Sequence, residues 1–250
     1  MKTADSLQHD SPLYAPCRRL TLRAPFGWLK QGWQDFRRAP WHSLIYGVIF
    51  AAIGWGLIYL SRTEVSFLVA GLIASVLVVG PALAFGLYDI SQQLEQHHQP
   101  SFRHERGKAL SEMGHELMLV LLLSLAYLIL LLLLPTLMDI VTASERFAVS
   151  AAVPMTDAST VVIAVIFAGL LFGVSVFALP MILDQDVDAT TAISTSLHAV
   201  WRNKSVLVLW AMLILALTAV GFATALIGFV LIVPVLGYAT WHAYRETIMT

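Results

Sequence analysis

Charge is the scarcest property of this sequence. Asp, Glu, Lys and Arg supply only 12% of the 250 residues, about half the roughly 25% of a soluble domain. The formal net charge of −1 gives no electrostatic basis for binding nucleic acid, so none is expected as a partner. There is one cysteine, Cys17. It excludes an intramolecular disulfide and cannot build a zinc site alone. A cleavable leader is not expected either. The first forty residues hold seven Lys and Arg and no apolar core of the needed length. The first apolar run should therefore act as an uncleaved anchor. No G-x-S-x-G elbow, phosphate-binding loop or dinucleotide fingerprint occurs, so no catalytic residue is assigned and a non-enzyme is expected.

Apolar length is abundant. Hydrophobic residues make up 58% of the chain. A membrane-spanning helix needs about 20 largely apolar residues, because the hydrocarbon core is about 30 Å thick. The runs 41–60, 65–88, 117–141 and 160–183 meet this directly. Residues 205–238 are too long for one span and are read as two, 205–222 and 223–244, turning near Gly221, since glycine tolerates positive φ. The expected fold class is thus an all-α polytopic membrane protein. It has six transmembrane helices arranged as three hairpins, in one domain over 25–250, after a flexible cytoplasmic tail over 1–24. The lipid bilayer is its expected partner. No Asp, Glu, Lys or Arg lies in the middle of any span, which argues against proton-coupled transport. Asp89 and Asp139 sit at span ends.

Lys and Arg mark the cytoplasmic side of a membrane protein. Thirteen of the fifteen fall on one side of this topology: Lys2, Arg18, Arg19, Arg23, Lys30, Arg37, Arg38, Arg103, Arg106, Lys108, Arg202, Lys204 and Arg245. Only Arg62 and Arg146 fall on the other. Both termini are expected in the cytoplasm, and the location is a bacterial inner membrane. Three segments on that side have apolar residues at helical spacing: Phe26, Leu29, Trp33 and Phe36; Leu110, Met113 and Leu117; and Ile193, Leu197, Val200 and Trp201. Each precedes an odd-numbered span. They read as amphipathic helices lying at the interface, basic residues toward the phosphates, and suggest a threefold repeat.

Pro81, Pro135, Pro180 and Pro234 lie within spans, where each removes a helical hydrogen bond. They read as fixed packing bends. Gly169 and Gly173 form a small-xxx-small pair for close helix contact. His42 and His242, at the inner ends of the first and last spans, are candidate haem ligands. The expectation there is interfacial anchoring beside Trp41 and Trp241, with no cofactor. Asp184, Asp186 and Asp188 are candidate metal ligands in "LDQDVDATTAIS". A calcium loop starting at Asp184 would need glycine at its sixth position and glutamate at its twelfth. Ala189 and Thr195 stand there. Helix capping by Asp186 or Asp188 fits better, with Asp184 closing the fourth span on its hydrated side. No metal is expected.

Three stretches carry a family resemblance: "GW…DF…P…S…YG" near the amino end, "FALPMILDQDVDATTAISTS", and the closing "PVLGYATWHAYRE". They are similar to a bacterial six-helix membrane family, domain of unknown function 2189, over about the last nine-tenths of the chain. Some members carry the label of a cytochrome c oxidase subunit. A catalytic subunit of that enzyme needs about half a dozen histidines deep in its spans, and this chain has none there. The resemblance implies no established activity, and the leading expectation is a non-enzymatic inner-membrane scaffold, accessory or assembly protein, with a respiratory complex among its candidate partners. The alternatives are a transporter or channel for lipid or a small molecule, with a cavity among kinked helices, and a haem-binding redox subunit.

Overall fold

The computed structural model describes residues 15–61, 83–100, 158–185 and 187–249. They carry seven helices: α1 (Ala24–Arg38), α2 (Pro40–Ser61), α3 (83–95), α4 (Ala158–Asp184), α5 (Ala189–Arg202), α6 (Lys204–Ala223) and α7 (Phe229–Thr247). Among the described residues there is no strand, only a two-residue bridge between Cys17 and Ile248. One helix there, α6, is long and apolar enough to cross a membrane by length and composition. Four of the six expected spans fall on α2, α4, α6 and α7. The third, 117–141, lies outside the described residues, as do Pro81, Pro135, Asp139 and Asp186.

Helix α7 is the axis. It touches α1, α2, α4 and α6, and Leu87 of α3 packs on its Gly237. Hydrocarbon is as apolar as leucine, so packing inside a bilayer depends on close approach and interhelical polar bonds. Glycines supply the approach. At Gly32 of α1 a Cβ would stand 2.5 Å from the Val235 carbonyl oxygen. At Gly47 of α2 it would overlap the carbonyl of Val230. Pro234 has no N–H to give Val230, four residues earlier. The bare backbone of Gly47 thus meets the carbonyl that the proline frees. A Cβ at Gly54, two helical turns on, would stand 2.8 Å from Leu226 Cδ1. Contacts 43–238, 47–230 and 54–226 make α2 antiparallel to α7.

A hydroxyl of α5 bonds the backbone of α4. Ser196 Oγ of α5 donates to the Gly173 carbonyl at 2.7 Å and accepts from Phe177 N at 3.2 Å. Those two backbone groups would ordinarily bond each other. An inserted side chain of this kind is a known cause of helix bending. Pro180, one turn on, removes a second ladder bond by having no N–H. Gly173 makes the close contact with α5, while Gly169 has nothing within 4 Å among the described residues. The expected small-residue pair is therefore one contact glycine and one exposed glycine.

Three further expectations are corrected. The tail was expected to stay free through residue 24, but residues 15–20 are tied down. Arg18 N bonds Thr247 O and Met249 N bonds Pro16 O. Ala15 N bonds Thr195 Oγ1, and Asn203 accepts from Leu20 N and donates to Arg18 O. The second span was expected to end at Tyr88, yet α3 runs to residue 95 and buries Ile90, Ser91 and Gln93. The last reversal lies at 224–228, not at Gly221. Gly221 is reserved for packing, with a Cβ there 2.5 Å from the Phe229 ring. Positive φ falls instead on Ala225 (51°) and Leu226 (69°). The inward face of α1 is Trp28, Gly32, Asp35 and Phe36, and Phe26 and Trp33 are exposed, the side on which an interfacial helix carries its apolar residues. Helix α5 likewise turns Ala192, Thr195, Ser196 and Ala199 inward and leaves Leu197 and Trp201 exposed.

Candidate functional site: a polar clasp across four helices

Helices α3, α4 and α7 end together, and α1 crosses them there. Their polar residues form one connected chain. Asp35 of α1 is 3% exposed. Its Oδ2 accepts from Ser91 Oγ of α3 at 2.7 Å and lies 2.7 Å from His242 Nε2 of α7. Arg38 Nη1 is 3.7 Å from its other oxygen. The second nitrogen of His242 faces Glu95 of α3 at 3.6 Å. Glu95 meets Arg245 Nε at 3.3 Å, and Arg245 Nη1 reaches Asp184 of α4 at 3.0 Å. Asp184 also accepts from the Tyr244 hydroxyl at 2.7 Å and Gln92 Nε2 at 3.0 Å. Gln185 Nε2 closes the set on Tyr244 at 2.9 Å.

The spacing explains why α7 can serve three neighbours. His242 and Arg245 are three residues apart and share a helical face, and Tyr244 points past them to α4. Three carboxylates, two guanidinium groups and one imidazole make up the ionisable set. With the ring protonated it sums to zero. Removing a partner from a buried pair leaves an uncompensated charge and typically costs about 3–5 kcal/mol. The clasp is thus suited to fixing helix ends relative to one another.

The candidate residues separate accordingly. Asp184 belongs to the clasp; it is not an exposed, hydrated helix end. Asp188 is the N-cap of α5. It accepts from Thr191 N at 3.2 Å and from the hydroxyls of Thr190 and Thr191. Those bonds, Thr190 first, hold its carboxyl down at about 2. The two aspartates face different partners and share no ligand geometry, and no group of three metal-ligating side chains occurs among the described residues. His42 and His242 flank the Ser43–Tyr238 contact of 2.8 Å between α2 and α7. Both ring nitrogens of His242 face carboxylates, so an axial iron would have to displace one of them.

Sequence reasoning missed Asp35, Ser91, Gln92, Glu95, Tyr244 and Arg245 as a group. The available signal was small: Asp35 interrupts an aromatic face, and "WHAYRE" puts a histidine and an arginine on one face. A second polar anchor sits nearby. Trp28 Nε1 donates to Glu246 Oε2 at 2.6 Å, and its ring meets Trp210 edge-on at 5.5 Å.

A mostly apolar set of helices, one of them long and apolar enough to cross a membrane by length and composition, with a polar clasp at one end, fits a helical integral membrane protein. Residues 68–184, just under half the chain, match the family described as predicted integral membrane protein (DUF2189), which is what this segment is similar to. That description names no respiratory complex. No curated protein and no solved structure matches the chain.

Proposed function

We propose that this protein is a bacterial inner-membrane scaffold without catalysis of its own, an accessory or assembly partner of a larger membrane complex, a respiratory one included. The observation that carries this reading is the clasp. Its ionisable side chains are engaged with one another across α1, α3, α4 and α7, an arrangement that holds helices and leaves no acid, base or ligand poised for a substrate. Six spans with both termini cytoplasmic accompany the proposal. Support comes from the bridge between Cys17 and Ile248, which sets the segments on either side of the helices together, as an even number of crossings would. In that topology the cations Arg18, Arg19, Arg23, Lys30, Arg37, Arg38, Arg202, Lys204 and Arg245 all fall on the side of the termini, as the cytoplasmic side requires.

Purification in mild detergent tests the role. A membrane-protein partner in fixed ratio is expected. A solitary protein that moves lipid or solute across proteoliposomes would replace this reading with transport, and a Soret band abolished by His242→Ala would replace it with haem binding. Reporter fusions at Ser150 and Thr250 should read periplasmic and cytoplasmic; a periplasmic Thr250 sinks the six-span topology.

A further inference from the structure

We infer that the α5–α6 junction is a binding surface for anionic phospholipid headgroups, an inference that rests on the membrane reading above. One buried residue builds it. Asn203, 5% exposed, is the single residue between α5 and α6. Its side chain accepts from Leu20 N at 2.9 Å and donates to Arg18 O at 3.0 Å and Ala199 O at 3.2 Å. The amino-terminal segment is thereby pinned beside the junction. Arg18 and Arg19 are brought to Arg202 and Lys204, and all four are exposed. None of these cations has a salt-bridge partner among the described residues, unlike Arg38 and Arg245.

The apolar surroundings specify what the cations meet. Trp201 is 79% exposed, and Lys204 Nζ stands 5.8 Å from its ring centroid. An indole with one wet side and one apolar side suits the headgroup level of a bilayer. Below it, Val208, Met212 and Leu215 are exposed at spacings of four, four and three from Lys204. These spacings make one continuous stripe down the span-length helix α6. Leu197, one turn before Trp201, is exposed as well. A phospholipid has the same order: a phosphate, an interfacial region, then acyl chain. A soluble anion would use the cations and leave the stripe uncovered. A zwitterionic lipid would cover the stripe and leave the cations without net counter-charge. An anionic phospholipid satisfies both.

The test uses the full chain reconstituted in phosphatidylcholine membranes, with spin-labelled phosphatidylglycerol or spin-labelled phosphatidylcholine as probe. The protein-restricted fraction of each label gives relative affinity. Phosphatidylglycerol should be preferred severalfold. The preference should fall toward parity as cations are lost, each cation near the surface contributing up to about fivefold, and it should weaken in high salt. Arg202→Gln with Lys204→Gln should abolish most of it. Lys30→Gln with Arg37→Gln, two exposed cations on α1, should preserve it. Trp201→Ala, which leaves every charge in place, should lower the affinity for both labels. Equal affinity for the two labels in the wild type overturns the inference, as does an equal fall in the two charge variants. A chain that alkaline carbonate strips from membranes instead refutes the membrane reading itself.

Discussion

Replacing Asp35 perturbs the clasp at its most buried charge. In Asp35→Ala, the Ser91 hydroxyl loses its 2.7 Å acceptor and His242 Nε2 loses its 2.7 Å partner. Hydrogen bonds to charged groups contribute about 1.5–3 kcal/mol each. The stripped ring stays within 3.6 Å of Glu95, so the rest of the chain is left partly paired. The expected loss is therefore about 3–5 kcal/mol. Asp35→Asn keeps an oxygen for Ser91 and removes only the charge, so it should cost roughly half as much. The assay is reversible unfolding in mixed detergent micelles, run as a double-mutant cycle with His242→Ala. Contacting residues in one network couple by about 0.5–3 kcal/mol, and this pair should fall in the upper half of that range. Coupling below about 0.5 kcal/mol would show that the two side chains act independently and would refute the clasp as a mechanical unit.

Three further outcomes follow from the packing. Ser196→Ala removes the hydroxyl between Gly173 and Phe177 and should cost about 1–2 kcal/mol; an unchanged stability would mean that the α4 ladder simply closes. Gly47→Ala should destabilise by about 1–3 kcal/mol through overlap with the Val230 carbonyl. Gly56→Ala, with nothing within 4 Å, should be neutral or gain up to about 1 kcal/mol; equal melting shifts would contradict this contrast. Asp188 is held at about 2, below the ordinary carboxylate value near 4. Its capping contribution is complete above about pH 4 and lost as pH falls toward 2. The stability of Asp188→Asn should thus change less than that of wild type across this window, and parallel curves would count against the cap.

What the sequence discloses is divided by distance along the chain. Apolar length marks the helices α2, α4, α6 and α7 because a long apolar run is a local property. The cap at Asp188 is also local, since its partners Thr190 and Thr191 are two and three residues away. The clasp is not local. Asp35 meets His242 across 207 positions, and Asp184 meets Gln92 across 92. In isolation Asp35 is one acid among the basic residues of α1, and Asp184 is the first of three alternating acids. Apolar spacing marks the exposed residues Phe26 and Trp33 of α1 and Leu197 and Trp201 of α5, but not the inward faces, which are set by Gly32 and Asp35 on α1 and by small residues on α5. The reversal at 224–228 was displaced because Ala225 and Leu226 adopt a conformation that composition assigns to glycine.

Cross-linking in intact membranes, followed by mass analysis of the adducts, tests the proposed scaffold role most directly. The account predicts one recurrent membrane-protein partner, held by the wild-type chain and lost in Asp35→Ala while that variant stays in the membrane. Adducts confined to lipid and to the chain itself, unchanged by Asp35→Ala, would contradict it.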